Sequence, residues 1–288
     1  MTIWNLGSIN IDRLYRVPHL PGPGETLAAT AHSEGLGGKG ANMSVAAARA
    51  AAHVVHIGAV GADGRWAAER LLEYGVDTRS IAEVPGPTGH AIIAVDAGGE
   101  NSILLWPGAN AAISEGMIGQ ALSQASLGDW LLMQNETCGQ VHAARMARDL
   151  GLNVAYAAAP FDAQAVQELL PYLDLLVMNA VEAEQLRAAT GQDAAALGVD
   201  LVIVTKGAGG CTLYRSGAHR DFPAVVVEPV DTTGAGDTFT GYVLAGLGRG
   251  EEVAQAILRA TQAAAIMVTR QGTADVIPDL KDIEDARL

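Results

Sequence analysis

Positive charge is scarce in this chain: 18 Lys and Arg stand against 32 Asp and Glu, for a formal net charge of -14 at pH 7. Nucleic acid and anionic membrane surfaces are held by clustered Lys and Arg, so this balance argues against both as partners. It leaves nucleotides open, because backbone N–H groups can hold phosphate without any net positive charge. Cysteine is nearly absent, and Cys138 and Cys211 lie far apart. That excludes a disulfide framework and a cysteine zinc site. Aromatics make up 5% of residues against 49% hydrophobic, so the core must be built from Ala, Val, Leu and Ile. Gly or charge interrupts every apolar run before bilayer length. The opening Met1-Thr-Ile-Trp-Asn-Leu-Gly7 lacks the basic segment and long apolar run of a signal peptide, which makes the cytoplasm the expected compartment. The histidines, among them His32, His53, His56, His90, His142 and His219, have no metal-ligand spacing and are expected at the surface or core edge.

What is present is an alternation. Strand patterns are expected at 2–9, 54–60, 130–134, 153–157, 175–178 and 201–205. Helix patterns are expected at 42–52, 65–74, 114–124, 139–150, 163–170 and 180–189. Strands alternating with helices of this length imply parallel pairing with helical crossovers on both faces. Late antiparallel strands are expected at 211–214 and 224–227, and two helices, 236–248 and 251–268, are expected to close the fold. Two strand-rich pieces, about 11–36 and 88–107, leave this body and return to it. Residues 25–36 read as irregular, while 88–95 and 101–106 alternate around the turn at Asp96. Together the two pieces suggest a small sheet hinged as a lid over a single domain spanning 1–288.

Two glycine clusters carry the chemistry. In Val230-Asp-Thr-Thr-Gly-Ala-Gly-Asp-Thr-Phe239, the amides of Gly234, Ala235 and Gly236 open a helix and can face an anion. Asp237 in its first turn is either a dipole partner of that helix or a general base beside an anion hole. The second cluster is Gly37-Gly-Lys-Gly-Ala-Asn42. It is not a P-loop, because Lys39 precedes Gly40 rather than Ser or Thr, and Ser33 stands where the first glycine is required. It reads either as a turn with Asn42 capping the next helix, or as a glycine floor on which Lys39 and Asn42 approach a polyol.

These two stretches are similar to the two signatures of the PfkB carbohydrate kinase family, and the chain most resembles its ribokinases. Gly7-Ser-Ile-Asn-Ile-Asp12, Pro107-Gly-Ala-Asn110, Gln134-Asn-Glu136, Asn179-Ala-Val-Glu182 and Thr205-Lys-Gly-Ala-Gly-Gly210 fall in the family's order, so the match spans about residues 3–278. The resemblance implies a ribokinase-like three-layer α/β/α body with a mostly parallel sheet and a β-sheet lid. It implies phosphoryl transfer from ATP to a sugar, D-ribose first, with Asp237 as the base and the Gly234–Gly236 amides as the anion hole. It puts Asn10, Ile11, Asp12, Gly38, Lys39, Asn42 and Glu136 at the sugar. Asn179 and Glu182 would organise Mg2+ and phosphates; Thr205, Lys206, Gly207, Ala208, Gly209, Gly210, Gly236 and Thr261 would border the nucleotide. Asp231 and Thr233, with carbonyls near Met267, Arg270, Gly272 and Val276, match the family's monovalent-cation (K+) loop.

Three departures bear on these expectations. Tyr156-Ala-Ala-Ala-Pro160 replaces an Asn-Pro-Ala-Pro run, Ala180 stands where ribokinases carry Glu, and Val276 where a Ser hydroxyl often sits. Another sugar, deoxyribose or a nucleoside is the alternative acceptor, with His90, Ile92 and Trp106 as a possible wall for a base. A silent binding paralogue is argued against by the intact Asp237 cluster. A nicotinamide dehydrogenase is argued against by the Gly7-Ser-Ile-Asn10 turn, which is not G-x-G-x-x-G. A homodimer through the lid sheet is expected, because a small one-sided sheet exposes apolar surface and open edges.

Overall fold

In the computed structural model, which describes residues 1–286, hydrophobic runs of about five residues form the strands of one large sheet. They are β1 (Thr2–Leu6), β4 (His53–Val60), β5 (Ile81–Glu83), β8 (Trp130–Gln134), β9 (Asn153–Ala157), β10 (Leu175–Asn179), β11 (Leu201–Thr205), β12 (Cys211–Arg215) and β13 (Ala218–Phe222). Their spatial order is β13-β12-β11-β10-β9-β8-β1-β4-β5. Pairing is parallel from β5 to β11 and antiparallel at β12 and β13. The runs are apolar at successive positions because both faces are covered. Leu175, Val177, Leu201 and Ile203 pack on one side, and Leu176, Met178, Val202 and Val204 on the other.

The first side is covered by α1 (Lys39–Arg49), α2 (Arg65–Glu73), α7 (Ala235–Gly248), α8 (Val253–Val268) and α9 (Leu280–Ala286); the second by α3 (Glu115–Leu122), α4 (Gln140–Asp149), α5 (Ala163–Leu169) and α6 (Ala180–Thr190). Small side chains replace the missing aromatics and let helices approach closely. A methyl group added at Gly241 of α7 would lie 2.6 Å from both Ala46 Cβ and Met43 O of α1.

A separate four-stranded sheet, ordered β3-β2-β6-β7, is made from β2 (Asn10–Arg16), β3 (Ala31–Gly37), β6 (Gly89–Val95) and β7 (Asn101–Trp106). Side chains alternate between its faces. Asn10, Asp12 and Ala91 share the face turned to the site, whereas Ile11, His90, Ile92, Leu104 and Trp106 share the other.

Several expectations are corrected. Residues 224–227 are not a strand; the hairpin partner of β12 is β13, reached through Ser216 and Gly217, both at positive φ. Such a two-residue turn matches the strand twist, and its polar edge strand carries no hydrophobic alternation to read. The stretch read as irregular ends in β3. A further helix, α9, follows the two expected to close the fold. α1 begins at Lys39, with Gly38 at its N-cap, so Asn42 sits inside the helix rather than capping it. His56 is in the core, fully buried, and burial drives its pKa down to about 4.

Candidate active site

The strand order reverses at β1 and β8, and the carboxyl ends of strands at such a point form a crevice in open α/β sheets. β1 delivers Gly7 and Ser8 there, and β8 delivers Glu136. Gly7 and Gly40 lie in direct backbone contact: a Cβ on Gly40 would fall 2.3 Å from Gly7 Cα. That contact brings the start of α1 onto the end of β1. Ala41 N–H donates to Ser8 O at 2.8 Å, and Gly40 N–H to Ser8 Oγ at 3.2 Å.

Glu136 is held by two donors on one oxygen, Ser8 Oγ at 2.5 Å and Lys39 N–H at 3.0 Å. The Lys39 ammonium lies 3.9 Å from its other oxygen. Burial is the largest single influence on Lys39 and opposes its charge. Asp237, Glu136, Glu182 and Asp12 together outweigh it and raise the ammonium pKa. Asp12 is pushed up to about 7, first by burial and then by Glu136, against the pull of Lys39. Asn10 is buried, and its Oδ1 accepts from Asn110 Nδ2 at 2.8 Å.

Opposite this set, α7 starts at Gly234, whose φ of 80° suits glycine. The Ala235 N–H turns back to Thr232 O at 3.3 Å. The N–H groups of Gly234 and Gly236 have no partner among the described residues, leaving two amides at a helix N-terminus for an anion. Asp237 is buried in the first turn. Its Oδ2 accepts from Asn42 Nδ2 at 2.9 Å, and its Oδ1 has no partner among the described residues. Burial raises its pKa, with Lys39 and Asn42 opposing. A buried carboxylate with one fixed and one free oxygen, beside open amides, can accept a hydroxyl proton while the amides face developing charge.

Farther along the same edge of the sheet, Asn179 ends β10 and caps α6. Its Oδ1 accepts from Glu182 N–H at 2.9 Å, and Glu182 Oε2 accepts from Asn179 N–H at 2.7 Å. Glu182 is half-buried, and burial raises its pKa. Its Oε1 is uncommitted among the described residues, so this acid fits a divalent cation reached directly or through water. Thr205 ends β11; Lys206 through Gly209 form a tight exposed turn, closed by the buried Gly210, in which Lys206 Nζ lies 3.2 Å from Asp221. Thr261 lies midway along α8 and donates to Ile257 O of its own helix.

Asp231 accepts from Thr233 N–H at 2.9 Å and from Gly272 N–H at 3.4 Å. The Arg270 guanidinium donates to Val276 O at 3.4 Å, and Met267 O accepts from Arg270 N–H at 3.0 Å. The Asp231 carboxylate and the carbonyls of this loop are hard oxygen donors of the kind an alkali cation takes, though Arg270 already occupies the Met267 and Val276 carbonyls. A cleft connects this loop to the small sheet, lined by Asp12, Gly35, Asp231, Thr233, Gly272 and Thr273.

Sequence reasoning left Ser8 and Asn110 without roles, although both lie in motifs it singled out. Each is a short polar residue whose importance depends on a partner about 100 or more positions away. It also offered His90, Ile92 and Trp106 as part of a wall for a base in the alternative nucleoside reading. The register of β6 places all three on the sheet face opposite Asn10 and Asp12, so none of them lines this cleft. The Ile11 side chain is on that same far face and is buried.

The model of the pfkB family carbohydrate kinases matches residues 2–280. The chain is 39% identical to a ribokinase of Haemophilus influenzae, over 96% of this chain and 95% of that one. Its fold superposes on a ribokinase from Thermotoga maritima with a TM-score of 0.88 and 33% identity, covering 99% and 98% of the two chains. An Arabidopsis thaliana ribokinase complexed with ribose and ATP gives a TM-score of 0.86 and 28% identity, covering 99% and 97%. The chain belongs to the pfkB family of carbohydrate kinases.

Proposed function

We propose that this chain is an ATP-dependent ribokinase, transferring the γ-phosphoryl group of ATP to the 5-hydroxyl of D-ribose. The observation that carries the reading is Asp237. It is buried, held at one oxygen by Asn42, and placed between two open amides and a polyol-sized set of donors and acceptors. Asn10, Asp12, Lys39, Asn42 and Glu136 offer both hydrogen-bonding senses, as vicinal hydroxyls require. Lys39 offsets the surrounding carboxylates.

In the reaction, Asp237 takes the proton of the attacking hydroxyl as its oxygen bonds to the γ-phosphorus and the bond to the ADP oxygen breaks. The amides of Gly234 and Gly236 face the charge on the phosphoryl oxygens. Asn179 and Glu182 would hold Mg2+, whose charge would offset that of the phosphates. The turn from Thr205 to Gly210, with Thr261, borders the nucleotide. The small sheet acts as a lid that excludes water, the competing acceptor. The loop of Asp231, Thr233, Met267, Arg270, Gly272 and Val276 would hold a monovalent cation, which would supply positive charge beside the anion hole. A cytoplasmic homodimer, joined through the outer face of the lid sheet, completes the reading.

A nucleoside is the second reading, because the cleft continues past Asp12 to Trp66 and Tyr74, aromatic surface that could stack on a base. ADP release measured across pentoses, hexoses and nucleosides decides between them. Ribose is expected to give the highest kcat/KM, and a preference for nucleosides would replace this reading.

A further inference from the structure

Beneath the glycine floor runs a buried chain of hydrogen bonds that the phosphoryl-transfer scheme does not use. Gln134 Nε2 donates to Asn5 Oδ1 at 2.8 Å. Asn5 Nδ2 donates to Gly40 O and to Ser44 Oγ, each at 2.8 Å. Ser44 Oγ lies 2.8 Å from His56 Nδ1, and His56 Nε2 lies 3.0 Å from Gly7 O. Asn5, Ser44, His56 and Gln134 are all fully buried.

The proton positions follow from the partners. Gly7 O can only accept, so Nε2 of His56 carries its hydrogen. Nδ1 is then an acceptor, and the Ser44 hydroxyl donates its hydrogen bond to it. Both Asn5 amide hydrogens are used, so the chain has one direction, from Gln134 through Asn5 and Ser44 to His56 and Gly7. Burial that keeps His56 neutral fits this arrangement.

The chain grips the Gly7–Gly40 contact from both sides. His56 on β4 fixes the Gly7 carbonyl at the end of β1. Asn5 fixes the Gly40 carbonyl in the first turn of α1. Ser8, next to Gly7, holds Glu136, while Lys39 and Asn42 flank Gly40. The far end of the chain, Gln134, is two residues before Glu136.

We infer that His56 is a positioning residue for the acceptor site: through Ser44 and Asn5 on one side and Gly7 on the other, it sets the spacing of Glu136, Lys39 and Asn42. Losing it would loosen acceptor binding and leave the nucleotide turns on β10 and β11 untouched. The inference rests on the reading of this crevice as the acceptor site.

The test uses the full chain with His56→Phe, His56→Gln and Ser44→Ala. His56→Phe keeps ring volume and removes both bonds. His56→Gln restores a donor that can reach Gly7 O, and Ser44→Ala breaks the link to α1 alone. Steady-state ADP release is measured with the best acceptor of the panel and with ATP, at a temperature where circular dichroism shows each variant folded. Hydrogen exchange is followed over residues 7–12 and 39–45. His56→Phe is expected to raise the acceptor KM about tenfold, the scale of one or two lost neutral hydrogen bonds, with the ATP KM unchanged. Ser44→Ala should give a smaller rise in the same direction, and His56→Gln should recover most of the loss. Exchange should quicken in those two segments and not in α8.

Unchanged acceptor KM and exchange in a folded Ser44→Ala and His56→Phe would overturn the inference. So would equal losses for acceptor and ATP that track the fraction unfolded. If His56→Phe does not fold, Ser44→Ala and His56→Gln decide alone. A wild-type chain inactive on every acceptor sinks the kinase reading instead, and the exchange arm still decides whether His56 holds the two segments.

Discussion

Asn42 and Asp237, 195 positions apart, meet through a single buried hydrogen bond of 2.9 Å from the Asn42 amide to one carboxylate oxygen. Neither residue has another side-chain partner among the described residues. The bond fixes the plane of the carboxylate and leaves its other oxygen for a substrate proton. Asp237→Asn should therefore keep nucleotide and sugar affinity while kcat falls by about 10²–10⁴, the usual cost of removing a general base. Single-turnover ADP release with matched ligand titrations checks it. Near wild-type turnover in the Asn variant would remove Asp237 from the mechanism.

Asp12 gives a pH signature. Its pKa, pushed up to about 7 chiefly by burial, means that it becomes a full acceptor only as pH rises through that value. The acceptor KM should fall between pH 6 and pH 8 while the ATP KM stays level, and Asp12→Asn should flatten the profile. The stability sign is the reverse. A carboxyl whose folded pKa exceeds its unfolded value near 3.8 favours the fold when protonated, and that contribution is lost as pH rises from about 4 through about 7. Thermal melts of wild type and Asp12→Asn should thus converge at low pH and separate above pH 7, with the Asn variant the more stable. Parallel melts at every pH would contradict the assignment.

The outer face of the small sheet leaves Leu104 67% and Trp106 56% exposed, beside Ile92, with β7 as an open edge. Surface of this kind is normally covered. Light scattering at micromolar concentration should give a dimer, and Leu104→Lys should give a monomer without lowering the melting temperature of the large sheet. A wild-type monomer at that concentration rejects the dimer.

Activation by a monovalent cation should be present but modest, and should appear in kcat. The ligand set is mostly backbone carbonyl, which side-chain changes do not remove. Val276 offers no hydroxyl, however, and its carbonyl already receives the Arg270 guanidinium. Assays in potassium, sodium and a bulky organic cation at equal ionic strength measure it. Equal rates in all three would mean that Asp231 and its two amides hold the loop unaided.

The α/β alternation was legible because each buried strand writes itself as a run of apolar residues, Leu175–Met178 being typical. β13 was not, since Ala218–Phe222 is an exposed edge with charged residues at its centre. The two glycine clusters could be found by composition, and the structure brings them together through Asn42 and Asp237. The facing of His90 could not be found, because it depends on the register between β2 and β6, which lie almost eighty residues apart. The capping alternative for Asn42 and the placing of His56 at the surface or core edge failed for one shared reason. A polar side chain in an alanine-rich or valine-rich run reads as solvent-facing unless its buried partner is known.

The backbone contact between Gly7 and Gly40 also limits how this enzyme can change. A side chain at either position would drive into the other residue's main chain, and giving both a methyl group makes the collision worse, so no second substitution compensates the first. If the crevice is the acceptor site, its floor is closed to gradual remodelling, and changes of acceptor fall to the side chains of the small sheet and to the cleft wall that includes Trp66 and Tyr74.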